Sequence, residues 1–294
     1  MRVTDTMLFA RAAQDGGAAR TRAEEAMARA STGLKLSRPG DDPAGAGQVI
    51  LDQGVAARAS TIATVATAAS DELTAAGSAL NDVTNSLARL REIAVQFSNG
   101  TYDAAARANA ASEVQSLTGS IVASLNTRVG DRYVFAGTAD DAPPFDGAGN
   151  YSGDTGVRQV EVAPGVWEAS SIRADVAFRG VGGGTNLFST LAGLATALQT
   201  NNATGVAAAL DPLAASTAQL ATAHGQLGNA MNVFDTAAAA NRTVSGDATT
   251  RASHLTDADQ IQAATDLALA QRALEASLSA TSSSFKFTLL DYLK

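Results

Sequence analysis

Apolar positions recur every seven residues through the stretch 43–98. Ile62, Ala69, Ala76, Val83, Leu90 and Phe97 form one line, and Ala66, Leu73, Leu80, Leu87 and Ala94 the other. That spacing predicts a helix with a coiled-coil type of face, roughly 80 Å long at about 1.5 Å per residue. Asp42 reads as its N-cap, Pro43 as its first residue, and Asn99-Gly100 as its end. A second helix, about 103–129, carries Ala110, Val114, Leu117, Ile121 and Leu125 on one face and stops at Gly130. The short loop between them makes the two antiparallel neighbours. From about 205 to 241 the heptads return at Leu213, Leu220, Leu227 and Phe234, with Thr217, His224, Met231 and Ala238 between. Pro212 falls in the first turns, where it is tolerated. Leu73, Leu80, Leu87 and Leu90 are therefore expected to form an intrachain core with Leu213, Leu220, Leu227 and Phe234.

Both ends carry a thinner pattern. Residues 4–36 read as a helix with a stripe at Ala23, Met27, Ala30 and Leu34, interrupted by Gly16-Gly17; each interior Gly costs about 1 kcal/mol relative to Ala. Residues 255–294 hold no Pro and no Gly, and Thr256 and Asp257 supply a helix start. Ala264, Leu278, Phe285 and Tyr292 recur every seven, with Leu267 and Leu274 three positions along and Leu289 in the last turns. Helices so poor in large residues are marginal in water. Each end needs a partner helix, and the first candidate for either is the other. Met27, Leu34, Leu267, Leu274, Leu278, Phe285, Leu289 and Tyr292 are the expected assembly seam.

Between the helical halves the period changes. The segments 132–137, 157–163, 166–172 and 174–180 read as strands separated by turns. They contain the only tryptophan, Trp167, expected to anchor a small β core; its alternative use is to grip a ligand. GVGGGTN (180–186) is a return to helix, and 187–198 a short amphipathic helix. Gly246 is expected to loosen the junction before the terminal helix. The fold class is thus mainly α: a long antiparallel, coiled-coil helical bundle formed by the N- and C-terminal halves, with a small β-rich insertion. The expected domains are 1–38 with 253–294, 39–130 with 186–252, and the insertion 131–185.

Composition sharpens this. The chain is 46% hydrophobic but only 5% aromatic, and alanine-rich surface buries little area per residue, which favours long thin bundles. A formal charge of −8 without a basic run gives no electrostatic footprint for nucleic acid or anionic lipid. There is no cysteine, so neither disulfide nor thiolate chemistry is available. No apolar run approaches the roughly 20 residues of a membrane span, so no membrane partner is expected. Arg11 interrupts MLFA before a signal-peptide core can form.

Candidate chemistry is sparse. GAG (45–47) has no third spaced glycine and no preceding strand, so it is no dinucleotide fingerprint. There is no nucleophile elbow. His224 and His254 are thirty positions apart and form no zinc pair; His224 lies on a heptad seam and is expected to be a buried packing residue. Asp41-Asp42 and Asp257/Asp259 sit at helix starts, where carboxylates answer free N–H groups. Asp140-Asp141 lacks an EF-hand pattern. No catalytic, cofactor-binding or metal-binding residue is expected, and no enzymatic activity.

The segments MRVTDTMLF, STGLKLSRPGDDPAGAG (31–47), LARLREIAVQFSNGT (87–101), GDRYVFAGT (130–138) and 255–278 into LLDYL (289–293) together resemble the flagellin superfamily. The resemblance covers nearly the whole chain. LREIAVQ and DDPAGAG are shared with filament flagellin, whereas YVFAGT followed by PPF (143–145) and YSGDTG (151–156), and the closing LLDYLK, point to its hook–filament junction branch. The resemblance implies a structural subunit whose terminal helices pair into an inner coiled coil, with the long central helices outside them and the β insertion projecting. It implies self-association into a ring, with another hook-associated protein on the hook side and flagellin on the filament side, and an export chaperone at the C-terminal helix. It also implies an extracellular place in the flagellum, reached as an unfolded chain through the flagellar type III apparatus without a cleaved signal peptide. A minor filament flagellin is the alternative within the superfamily, and an adhesin using the insertion the alternative outside it.

Overall fold

The computed structural model describes residues 2–292, the side chains of 2–6, 8, 9 and 283–292 excepted. The helices are α1 (Arg2–Thr32), α2 (Pro43–Phe97), α3 (Ala104–Leu125), α4 (Ala174–Arg179), α5 (Leu187–Gln199), α6 (Ala203–Ala208), α7 (Leu210–Thr256) and α8 (Gln260–Tyr292). Between α3 and α4 lie β1 (Arg128–Val129), β2 (Arg132–Tyr133), β3 (Gln159–Ala163) and β4 (Val166–Ala169). The chain divides into a terminal unit, Met1–Arg58 with Val244–Lys294, and a central unit, Ala59–Thr243. The division falls inside α2 and α7, not near 38 and 252, and it leaves the β insertion within the central unit.

The central unit is built on the predicted heptads. Every position of both lines on α2, from Ile62 to Phe97, is buried. Leu73, Leu80, Leu87 and Leu90 share one apolar cluster with Leu213, Leu220, Leu227 and Phe234. The pairing of α2 and α7 is antiparallel: Ser70 Oγ donates to Asp235 Oδ1 at 2.8 Å, and Arg242 reaches Thr67 Oγ1 at 2.8 Å. A Cβ on Gly77 would stand 3.4 Å from the Leu227 side chain, so the α2 backbone passes close to α7 there. On α7 the first half of the second line is displaced by one residue from expectation, whereas Ala238 is buried where expected. Ser216 and Ala223 are buried while Thr217 is exposed and His224 half-buried.

The turn after α2 is held by a buried cation. Arg107 of α3 donates to the carbonyls of Tyr102 (2.8 Å) and Asn99 (2.5 Å) and to the Asn201 side chain, so one guanidinium answers acceptors that the end of α2 leaves free. Asp103 caps α3, its Oδ1 accepting from Ala106 N at 2.8 Å.

The insertion is less β-rich than its sequence suggests. β1 and β2 pair antiparallel across Gly130 (φ +60°), and β3 and β4 pair antiparallel with Glu161 opposite Trp167. Residues 174–179, expected as a strand, form helix α4. Asp175 in its first turn and Gly180 as a left-handed C-cap (φ +68°) suit a short helix, and a run of six has too few residues for its period to separate the two states. Trp167 does not anchor this region: it is 58% exposed. The core is made by Phe135, Phe145, Phe178 and Phe188, with ring centroids 5.5–5.8 Å apart, and it is continuous with the bundle core. An ion cluster adds to the join. Arg158 bridges Glu72 of α2 (2.8 Å) and Asp140 (3.1 Å) with all three side chains largely shielded. The half-exposed Arg132 approaches the same two carboxylates, at 3.8 Å and 4.0 Å, so the shielded acids face two guanidinium groups.

In the terminal unit α1 and α8 pack side by side. α7 runs without interruption through Gly246 to Thr256, contrary to the expected loosening. Neighbours on both sides secure it: Ser245 Oγ donates to Ala56 O at 3.0 Å, Ala248 and Ala252 are buried, and Arg251 Nε donates to the buried Asp52 at 3.0 Å.

Candidate assembly surface

The terminal pair is set by its two connections. Lys35 N donates to Thr256 O at 2.7 Å and Ala258 N to Gly33 O at 2.8 Å, so the segments leaving α1 and α7 are bonded to each other. Gly33 takes the left-handed conformation (φ +70°) that ends α1. Asp257 is held below the usual carboxylate range by the hydroxyls of Ser253 and Thr256. Asp259, not Thr256 or Asp257, caps α8, its Oδ1 accepting from Ile261 N at 2.9 Å. Asp42 caps α2 as expected, accepting from Gly45 N at 3.0 Å.

From this clasp the helices run antiparallel. Cβ atoms placed on Gly33 and Gly16 would meet Gln260 at 4.0 Å and Ser277 at 3.8 Å, so the same seventeen residues separate the contacts on each helix. The facing stripe is Gly16, Ala19, Ala23 and Ala26 against Ala263, Leu267, Ala270, Leu274 and Ser277. Leu267 and Leu274 stand on the seam where the heptads put them. Its other line runs through Ala263, which is buried, and not through Ala264, which is exposed. Gly16-Gly17 do not break α1; Gly16 faces Ser277, and a side chain on Gly17 would meet nothing within 4 Å.

Among the described residues the buried ones of this unit are Ala19, Ala26, Gly45, Val49, Asp52, Ala248, Ala252 and Ala263, with no Leu, Ile or Phe among them. The larger side chains face outward. Met27 and Leu278 are each 58% exposed, and Met7, Ile261 and Leu269 are exposed as well. Leu34, beside the clasp, is half-buried. Met27, Leu267, Leu274 and Leu278 line an open groove of about 660 Å³ floored by Gly16 and Ala23. Phe285, Leu289 and Tyr292, expected on the same seam, lie outside the residues whose side chains are described. The charge is uneven too. The terminal unit has twelve basic and thirteen acidic residues, the central unit nine and sixteen, so nearly all of the net −8 belongs to the central unit. The groove is mainly apolar, with the Arg20–Glu24 ion pair and Gln271 beside its leucines, a surface suited to another amphipathic helix.

Among the described residues no three His, Asp or Glu converge as metal ligands. His224 is half-buried, and its Nε2 has no hydrogen-bond partner among the described residues. Of the expected acidic pairs, Asp42 and Asp259 cap helices, Asp41 and Asp257 accept from neighbouring backbone and hydroxyl groups, and Asp140 joins the Arg158 cluster. No described helix is long and apolar enough to cross a membrane.

Comparison with known proteins gives the same direction. Residues 6–140 match the bacterial flagellin N-terminal helical region. Flagellar hook-associated protein 3 of Salmonella typhimurium is 33% identical over 132 residues, which span 44% of this chain and 42% of that protein's length. Flagellar hook-associated protein 3 of Escherichia coli is 28% identical over 273 residues, 85% of this chain and 86% of that protein. The crystal structure of the flagellar hook-associated protein 3 of Legionella pneumophila shares the fold, with a TM-score of 0.59 at 16% identity over 69% of this chain and 97% of that one. The match to the flagellin N-terminal region spans a little under half of the chain, and the similarity to the Escherichia coli hook-associated protein 3 runs along 85% of it; in both comparisons the chain is similar to the flagellin-like proteins.

Proposed function

We propose that this chain is a non-enzymatic structural subunit of the bacterial flagellum, an adaptor between hook and filament that associates with copies of itself through α1 and α8. The observation that carries this reading is the terminal unit's inversion of ordinary burial: alanines inside, Met27, Ile261, Leu269 and Leu278 outside. Exposed apolar surface of this kind marks an interaction site. A second helix laid in the groove would cover Met27 and Leu278 and bring the seam residues Leu34, Leu267, Leu274, Phe285, Leu289 and Tyr292 into a larger bundle. The partners proposed are other copies in a ring, a second hook-associated protein on the hook side, flagellin on the filament side, and an export chaperone at α8. The chain is proposed to be extracellular after export without a cleaved signal peptide; having no cysteine, it has no disulfide to undo before passage as an unfolded strand.

Localisation on isolated flagella tests the reading. Labelling confined to the hook end is expected; labelling along the filament, or growth of long filaments by the purified chain from seeds, would favour a filament subunit and overturn it.

A further inference from the structure

Asn99-Gly100 follows the end of α2, and it is the one place in the chain where glycine follows asparagine. That pair has a chemistry of its own. With no side chain on the second residue, its backbone nitrogen can reach the asparagine Cγ and close a five-membered ring. The turn leaves this approach open. Both residues are exposed, a Cβ on Gly100 would meet nothing within 4 Å, and the Gly100 N–H has no hydrogen-bond partner among the described residues. Asn81 and Asn85, followed by Asp82 and Ser86, lie inside α2, where the helix engages the next N–H.

Two neighbours activate the pair. Thr101 N donates to Asn99 Oδ1 at 3.2 Å, which folds the side chain back over the Gly100 peptide and polarises its Cγ–Oδ1 bond. The Asn99 carbonyl oxygen accepts from Arg107 Nη2 at 2.5 Å. That oxygen and the Gly100 nitrogen belong to one peptide group, so charge left on the nitrogen by loss of its proton spreads onto the oxygen that the guanidinium holds. Arg107 is 3% exposed, and its other acceptors are the Phe97 and Tyr102 carbonyls and the Asn201 side chain. A buried cation whose acceptors are all neutral gains from negative charge that develops beside it.

We propose that Asn99 is a site of self-modification: the folded chain deamidates there through a succinimide, and Arg107 is the polarising group. Hydroxide takes the Gly100 N–H proton, the nitrogen attacks Asn99 Cγ, and the side-chain amide, protonated by water, leaves as ammonia. Water then opens the ring. Attack at Cγ returns the normal backbone with an aspartate. Attack at the former Asn99 carbonyl carbon breaks its bond to Gly100 N and leaves isoaspartate, with the free carboxylate on the carbon whose oxygen Arg107 already holds. The guanidinium polarises that carbonyl, so isoaspartate is the favoured product, and it gives the buried cation a counter-charge. The net change takes up water, releases ammonium and adds one backbone atom and a negative charge to the turn between α2 and α3.

Peptide mapping of the full-length chain after incubation in mildly alkaline buffer, with isoaspartyl methylation to separate the two products, tests this. The native wild-type chain should lose the Asn99 amide on the order of tenfold faster than the same chain in urea, the effect of one preorganised charged donor, and with a larger share of isoaspartate. Gly100→Ala, which the open space admits, should all but stop the reaction. Arg107→Gln should bring rate and product ratio to those of the unfolded chain; if melting shows that this variant does not fold, the native-against-urea comparison on wild type decides alone. Retention of the amide in the native chain while the chain in urea loses it overturns the proposal. So do equal rates with equal product ratios in both, which would leave Arg107 without a part. Unchanged deamidation in Gly100→Ala also overturns it, because the succinimide route would then be wrong.

Discussion

The terminal and central units use the same secondary structure and opposite interiors. In the central unit Leu73, Leu80, Leu87, Leu90, Phe135 and Phe178 are fully enclosed; in the terminal unit the enclosed residues, among those described, are alanines, one glycine, one valine and Asp52. A buried leucine or phenylalanine contributes about 1.5–3 kcal/mol by removal from water, whereas ordering a residue's backbone costs about 1–2 kcal/mol. A helix pair whose seam is mostly alanine, with only the half-buried Leu267 and Leu274 as larger side chains, has little with which to offset that cost. The difference teaches where each unit's stability comes from: the central unit carries its own core, and the terminal unit, on the function proposed, takes its missing apolar surface from another chain.

Substitutions should separate the two. Phe178→Ala removes a ring packed edge-to-face on Phe135 and Phe145, and a loss of about 3–5 kcal/mol is expected in denaturant unfolding. Leu87→Ala, in the α2 seam, should cost about 2–5 kcal/mol by the same measurement; a melt within error of wild type would contradict the packing of α2 on α7. Ala26→Gly in the α1 seam should cost about 1 kcal/mol of local helix stability, visible in amide exchange of α1 and not in the main transition. Leu278→Ala should change the monomer's melting by less than about 0.5 kcal/mol, as exposed positions do, while abolishing co-sedimentation with the assembled complex. If Leu278→Ala lowers monomer stability as much as Leu87→Ala does, the two interiors are not different in kind.

Acid should touch the terminal unit through Asp52. Hydrogen bonds from Gln48 and Arg251 hold its carboxyl below the ordinary value. A depressed carboxylate contributes stability that is fully present above the unfolded value near 3.9 and lost as pH falls through the folded one. Acid titration should therefore loosen the α2–α7 contact at Asp52 only below about pH 4, and Asp52→Asn should flatten that step.

How much of this was legible in the chain depends on residue size. On α2 every heptad position proved buried, because Leu, Ile, Val and Phe among polar neighbours admit one register. On α8 the stripe passes through Ala263 and not Ala264; with alanine at both positions the sequence holds nothing to choose between them. The same holds on α7, where the enclosed Ser216 and Ala223 are no more apolar than their neighbours. α4 was misread because six residues do not define a period. Trp167 was misread because size alone suggested burial, while four phenylalanines from separate segments already filled the core. Gly246 was misread as a weak point because the buried alanines that hold α7 around it carry no mark of burial. The groove between α1 and α8 is a property of the pair, and no residue in it announces it alone.

Amide exchange on the dilute full-length monomer tests the comparison most directly. Residues 59–97 of α2 should be strongly protected, while 10–32 of α1 and 260–282 of α8 exchange many times faster and gain protection when the chain assembles. Protection of 260–282 equal to that of 59–97 in the dilute monomer would show that the terminal pair is stable by itself, and the assembly-coupled account would be wrong.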